Sequence, residues 1–321
     1  MIRPALVITA IVFLILAVSC SDEPVTRYEF LMDTQCSITV YDAGDEAYID
    51  QTFALLREMD RRLDRHSQDS QIARINRSAG ICPVQVDGMT YSLVARAKEL
   101  SILTSGAFNP LLGALSSLWA FDSPEHEVPD ASQIADLVSH VDIGCLVLDE
   151  EDMSVYISDP AVQLDLGAIA KGYASQVAAE HLASCGVERA IVNLGGNVYC
   201  LGSKGPDEDW VVGIQNPEAP TGGYFATVLC SDAAVVTSGS YQRRFEVDGV
   251  EYHHILDPRT GWPADSDIVS VSIVSDDGAL ADALSTACFV LGTQEAGRLC
   301  RSMGVGMLAL TTSGRIVRLD A

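Results

Sequence analysis

From Thr26 to Tyr41 apolar side chains fall on alternate positions, Tyr28, Phe30 and Met32, then Cys36, Ile38 and Val40, and at residue 46 the period changes to that of a helix. Alternation of period two puts one side of a strand against a core, so this stretch reads as a half-buried hairpin with Asp33-Thr34 near its turn. Ile49, Phe53, Leu56 and Leu63 then share one stripe, with Arg57, Glu58, Arg61 and Arg62 opposite, and predict a helix over 46–64. The same exchange recurs down the chain. Helices are expected at 90–104, 168–185 and 278–290, and short strands near 144–149, 154–157, 190–193, 210–214, 224–229, 243–247 and 268–274, with two closing strands after the last helix. Strands in this number without a regular strand–helix–strand winding predict an α+β fold, a mostly antiparallel sheet packed with helices.

The start of the chain reads differently. Arg3 precedes an apolar stretch from Ala5 to Val18, broken only by Thr9. A membrane-spanning helix needs about 20 apolar residues, so this shorter run behind a basic start reads as an export signal. It ends in Leu16-Ala17-Val18-Ser19-Cys20, which resembles a bacterial lipobox, and Cys20 is the expected lipidation site, anchoring the chain to a membrane without spanning it. An ordinary cleaved signal with an incidental Cys20 is the alternative. The expected organisation is a signal peptide over 1–19, a lipidated tether over 20–26 and one bilobed catalytic domain over 27–321. Removing 19 residues from 321 leaves 302, enough for a large core.

Charge narrows the partners. The chain has 20 Lys+Arg against 44 Asp+Glu, and losing Arg3 with the signal gives 19 minus 44, or −25. Such a polyanion repels phosphate backbones and excludes nucleic acid as a natural partner, and an anionic nucleotide would need a metal ion or a local cluster of donors. Of nine cysteines, the eight besides Cys20 (36, 82, 145, 185, 200, 230, 288 and 300) contain no CxxC pair, which removes the usual zinc and thioredoxin-like spacings and predicts no particular bridge.

Four segments can carry chemistry. In Asp165-Leu166-Gly167-Ala168-Ile169-Ala170-Lys171-Gly172 a carboxylate and a lysine flank a helix start, where free N–H groups attract anions, although a capped helix with a surface lysine would read the same. Asp282 and Thr286 stand four apart on a predicted helix and so share a face; together they offer oxygen to a hard cation such as Mg2+, or are ordinary helix residues. His253 and His254 precede an Asp257-Pro258-Arg259-Thr260-Gly261 turn, where one of two adjacent histidines can edge a pocket and act as a base, or both can be structural. Thr237 to Arg244 reads as a hydroxyl-rich turn followed by arginines, a weak signal for phosphate.

Together and in this order the segments resemble the ApbE-type family of FAD:protein FMN transferases over nearly all of the chain after the signal. The matching pieces are Met32-Asp33-Thr34, Asp69 to Asn76, Gly106-Ala107-Phe108-Asn109-Pro110, Asp165 to Gly172, Asn193-Leu194-Gly195-Gly196, Ser238-Gly239-Ser240-Tyr241, His254 to Gly261 and Asp282 to Thr286. The resemblance implies a T-fold-like α+β core. It implies Mg2+ held by the carbonyl of Ala168, by Asp282 and by Thr286, and FAD lying against Met32, His66, Ala107, Phe108, Asn109, Asp165, Lys171 and Leu256. His66 stands where many members carry an aromatic, and Asn109 replaces a common Asp. The implied reaction moves FMN from FAD to a Ser or Thr hydroxyl of an exported or membrane redox protein and releases AMP, with His254 as the base and Asp165 its rival. Attack by water would make the chain an FAD pyrophosphatase. A reading of another class is a flavin-binding surface lipoprotein without catalysis.

Overall fold

The computed structural model describes residues 23–42, 46–220 and 222–320. The expected signal, the tether up to Asp22 and the lipidation site at Cys20 lie outside the described residues. A hairpin of β1 (Val25–Leu31) and β2 (Thr34–Val40) leads into α1 (Glu46–Leu63) and α2 (Gln71–Arg77). Then come β3 (Val84–Gln85), α3 (Gly88–Leu103), α4 (Gly113–Trp119), α5 (Ala131–His140), β4 (Leu146–Asp149) and β5 (Ser154–Ile157). After α6 (Ala170–Ser184) the chain runs through β6 (Ala190–Leu194), β7 (Asn197–Leu201), β8 (Trp210–Gln215), β9 (Tyr224–Cys230), β10 (Ala233–Gly239), β11 (Arg244–Val247) and β12 (Val250–His253). It closes with β13 (Ile268–Ser275), α7 (Gly278–Met303), β14 (Gly306–Thr311) and β15 (Ile316–Leu319).

Eight strands form one sheet in the order β1-β2-β6-β7-β10-β13-β14-β15, every neighbouring pair antiparallel. The fold is therefore α+β with a largely antiparallel sheet, as the sequence predicts. One face of the sheet lies under α1, α6 and α7, and the β8–β9 hairpin covers part of the other. The alternation within each central strand shows this directly. In β10, Ala234 and Val236 join the helix-side core while Val235 joins Trp210 and Ile214 under the hairpin.

A separate aromatic core gathers Trp119 of α4, Ile134 of α5, Phe245 of β11 and Leu256. Its keystone is the loop that follows β12. Trp119 donates its indole N–H to the carbonyl of Gly261 at 2.8 Å, and Gly261 has φ 72°, with Ile134 and Val138 methyls 2.6 Å from where a Cβ would stand. The loop that begins at His254 is thus anchored at its far end by glycine, the residue that fits both the left-handed backbone and the lack of space.

Several predicted boundaries move. The last predicted helix does not stop at residue 290 but continues to Met303, bending at Gly292, whose φ of 76° and ψ of 166° are non-helical. The helix predicted from residue 168 begins at Ala170, because Ile169, at φ −147° and ψ −27°, is not yet helical. Thr237 to Gly239, read as part of a turn, is the end of β10. Helices α2, α4 and α5 and strands β3, β7 and β10 are additions to the predicted set.

Candidate active site

Met32 and Asp33 join β1 to β2 with φ of 51° and 56°, both left-handed. The Met32 N–H donates to Asp60 Oδ2 of α1 at 3.2 Å, which fixes the strained turn against the helix. Burial pushes the Asp60 carboxyl above its usual range, and this hydrogen bond opposes the shift. Across the turn lies Gly195, with φ 62° and a virtual Cβ only 2.3 Å from Thr34 Oγ1. The Asn193-Leu194-Gly195-Gly196 segment is therefore the tight turn between β6 and β7, seated on the β1–β2 turn.

At the end of α1, His66 is exposed, its backbone N–H donating to Asp64 Oδ1 at 2.8 Å. The residue before it is the one that sequence reasoning passed over. Arg65 has a side chain only 15 % exposed, with its Nε 3.1 Å from Asp165 Oδ2 and with bonds to the carbonyl of Gly113 at 3.1 Å and to Ser117 Oγ at 2.8 Å. No local pattern marks it, since its partners lie about 50 and 100 residues away in the chain. The other Asp165 oxygen accepts the N–H of Gly167 at 2.9 Å. Both carboxylate oxygens are engaged, an arrangement suited to positioning rather than to taking a proton.

The Asp165 N–H donates to the carbonyl of Pro110 at 2.8 Å and so draws the 107–110 loop to the same place. Ala107 and Phe108 are buried there, with the Phe108 N–H on Thr104 Oγ1 at 3.2 Å. Asn109 turns its side chain on its own loop, accepting from the Leu111 N–H at 2.9 Å. Beyond Ala168, α6 begins without a side-chain cap from Ile169, and the Ala170 N–H donates to the carbonyl of Leu166 at 2.8 Å. Lys171 sits in this first turn and donates to the carbonyl of Gly167 at 3.0 Å.

Here α6 meets the start of α7, glycine against glycine. A Cβ on Gly172 would stand 2.1 Å from the carbonyl oxygen of Gly278 and 2.6 Å from Asp282 Cβ. The close approach lets the Gly172 N–H donate to Asp282 Oδ2 at 2.8 Å. Asp282 is 4 % exposed, and burial raises its carboxyl pKa against the opposing pull of the Lys171 charge and of this N–H. Asn197, 3 % exposed, approaches the same carboxyl closely enough to steady its charge but not in good hydrogen-bond geometry, so its amide nitrogen stays unsatisfied. One turn along α7, Thr286 Oγ1 lies 3.4 Å from Ser238 Oγ at the end of β10, and that hydroxyl is 2.7 Å from Ser285 Oγ. The predicted sharing of a face by Asp282 and Thr286 is thus placed on a helix of the right span.

The two histidines separate. His253 is spent on structure, with Nε2 3.1 Å from the carbonyl of Ala264 and its ring edge-on to Phe289. His254 Nδ1 lies 3.2 Å from the carbonyl of Arg243. A carbonyl can only accept, so Nδ1 carries the proton and Nε2 keeps a free lone pair. Burial foremost, helped by the nearby charges of Arg243 and Lys171, lowers the His254 pKa to about 4. Leu256 follows, buried in the aromatic core.

Lys171 is the common neighbour. Its charge acts on Asp282, on His254 and on Cys36 of β2, which brings together three of the predicted segments and the strand that follows Met32. A cleft of about 540 Å3 lined by Arg74, Arg77 and Cys82 shares no residue with this cluster.

In class, an antiparallel sheet whose covering helices bring a helix start and a buried carboxylate together beside a lysine is an α+β enzyme. The description "ApbE family" belongs to the family model that matches residues 32–310, and this chain is a member of that family. It is 37 % identical over 309 residues to the FAD:protein FMN transferase of Treponema pallidum, covering 91 % of this chain and 85 % of that protein. It is 37 % identical over 276 residues to the protein of the same name in Klebsiella pneumoniae, covering 86 % and 85 %. The crystal structure of the ApbE protein from Thermotoga maritima matches with a TM-score of 0.85 at 32 % identity, over 92 % of this chain and 97 % of that one. The flavin transferase ApbE from Vibrio cholerae matches with a TM-score of 0.82 at 27 % identity, over 93 % and 97 %.

Proposed function

We propose that this chain transfers the FMN half of FAD to a Ser or Thr hydroxyl of a partner redox protein and releases AMP, working outside the cytoplasm from a lipid anchor on Cys20. The observation that carries the chemistry is the junction of α6 and α7, where Lys171, the Gly172 N–H and the buried Asp282 carboxylate converge. The buried carboxylate of Asp282 and the hydroxyl of Thr286 are oxygen donors of the kind that suit a hard ion. Asp282, Thr286 and the carbonyl of Ala168 would hold Mg2+, which when bound would neutralise charge on the pyrophosphate and polarise its phosphorus–oxygen bonds.

Lys171 offers its ammonium to the phosphates at the N-terminal end of α6, the positive end of the helix dipole. Met32, His66, the Ala107-Phe108-Asn109 loop and Leu256 supply the surface against which FAD lies, with Asp165, held by Arg65, as its polar contact. The acceptor oxygen bonds to the FMN phosphorus as the bond from that phosphorus to the AMP oxygen breaks. The hydroxyl proton goes to His254 Nε2, the lone pair left free by the Nδ1 contact to Arg243.

The test is AMP release from FAD by the full chain in detergent, with and without Mg2+ and with and without a protein bearing an exposed Thr. Release that requires Mg2+ and leaves FMN on the acceptor supports transfer. Release that requires Mg2+ but leaves every tested acceptor unmodified makes water the nucleophile and the chain a pyrophosphatase. No release under any condition would leave only a flavin-binding lipoprotein.

His254 gives a pH prediction. Its pKa in the fold is about 4 against an ordinary 6.5, so the unfolded chain binds the proton first as pH falls. Its contribution to stability is full above pH 6.5 and is lost between pH 6.5 and about 4. His254→Gln is therefore expected to flatten the dependence of the melting temperature on pH in that window. It should also lower AMP release by roughly 100-fold or more, as loss of a general base does. An unchanged rate in this variant would remove His254 from the reaction.

A further inference from the structure

Helix α7 is two helices joined by an elbow. The first half ends with Phe289 accepting Ser266 Oγ at 2.6 Å, and Gly292 then leaves helical geometry with a virtual Cβ 2.9 Å from Asp267 Oδ1. The second half starts on Asp267, which takes the Thr293 N–H at 2.8 Å and the Thr293 hydroxyl at 2.6 Å. The loop from Ser266 to Asp267 therefore fixes the angle of the elbow from both sides. Cys288 stands before the bend and Cys300 after it. Both are completely buried, and their sulfurs lie 3.5 Å apart, each the other's hydrogen-bond partner. A disulfide needs a separation of about 2.05 Å, which two facing thiols already in contact can reach by turning about their Cα–Cβ bonds.

We propose that Cys288 and Cys300 are a disulfide-forming pair that staples the two halves of α7 across the Gly292 elbow when the chain meets a disulfide oxidant. Each thiol gives up one proton and one electron as the sulfur–sulfur bond forms. The two electrons and two protons reduce the disulfide of an external thiol–disulfide oxidoreductase, or of oxidised glutathione, to two thiols through a mixed disulfide. With both sulfurs inaccessible in the folded state, exchange takes place before residues 293–303 dock. The compartment expected for an exported chain supplies such an oxidant. The staple would brace the helix that carries Asp282 and Thr286, since Thr286 is two residues from Cys288.

The sequence provides a clean assay. Trypsin cuts after Arg259, Arg298 and Arg301, so it separates the two cysteines into peptide 260–298 and the tripeptide Leu299-Cys300-Arg301. The full chain is unfolded, refolded in a mixture of oxidised and reduced glutathione, alkylated and digested without reduction. The expected product is the two peptides joined, falling apart on reduction. Recovery of both as separate alkylated peptides would overturn the proposal. A second reading comes from melting: reduction should lower the melting temperature of the refolded wild type by about 5 °C more than that of the Cys288→Ala, Cys300→Ala double variant, which keeps the neighbouring thiols Cys200 and Cys230. An equal change in both proteins would also overturn it, and if the double variant does not fold, the peptide map of the wild type decides alone.

Discussion

Asp282→Asn is expected to make the ligand-free protein more stable while removing most of its Mg2+-dependent release of AMP from FAD. Asp282 is 4 % exposed, and its carboxyl pKa is raised, mainly by burial. A carboxyl whose pKa in the fold exceeds its unfolded value is a burden to the fold at neutral pH. The unfolded chain ionises freely while the folded one must hold a desolvated charge. Asn removes that charge yet keeps an oxygen for the Gly172 N–H that now bonds Oδ2 at 2.8 Å. The melting temperature at pH 7 without metal should rise by a few degrees. Since the wild-type carboxyl is itself protonated in acid, the advantage of Asn should shrink as the pH approaches 3.8, the ordinary value. Turnover should fall on the order of 1,000-fold, because the only ionised oxygen proposed for the cation is gone. A lower melting temperature for Asn at pH 7, or undiminished turnover, would sink the argument. This is the trade between stability and activity that a buried site charge creates.

Gly172→Ala should damage both stability and turnover. Its Cβ would fall 2.1 Å from the Gly278 carbonyl oxygen and 2.6 Å from Asp282 Cβ, and neither is the far end of a flexible side chain. One of the two helices must move by roughly 1 Å, at a cost of about 1–3 kcal/mol in overpacking. The displacement falls on the atoms that hold Asp282, so turnover should drop by roughly 100-fold even in the fraction that folds. Gly88→Ala is the control: it also begins a helix, but its nearest neighbour is Met153 Sδ at 3.9 Å, and it should change neither denaturant midpoint nor rate. Equal behaviour of the two variants would mean that α6 and α7 slide past each other freely.

How much of this was legible in the sequence depended on whether a signal was local. Strand β2 and the stripe of α1 sit where their periods place them, because each buries one face, whereas the alternating Tyr28 and Phe30 of β1, expected on the core side, are 64 % and 74 % exposed. Strands β7 and β10 did not announce themselves for the opposite reason. Val198-Tyr199-Cys200-Leu201 and Ala233-Ala234-Val235-Val236 are apolar on consecutive positions, since both faces of the sheet are covered there, and period two vanishes. The bend at Gly292 is set by Asp267, about 25 residues earlier in the chain, so the residues around the glycine did not reveal it. In the site, the spacing of Asp282 and Thr286 could be read, because helix geometry alone sets it. The contact of Gly172 with Gly278, the ion pair of Arg65 with Asp165 and the meeting of Cys288 with Cys300 are products of tertiary packing, and no window along the chain contains them.

The order of strands in the large sheet also bears on how the molecule comes into being. β2 pairs with β6, so that Cys36 faces Leu194, and the Met32 turn is completed against a turn that arrives about as late. While a growing chain is shorter than that, β2 has no partner on its inner edge and its apolar face has no α6 to cover it. Such a long-range closure makes for slow folding and for an interval in which an exposed strand can pair with a stranger. A truncated product ending before residue 190 is therefore expected to collect in aggregates and not as a soluble N-terminal half.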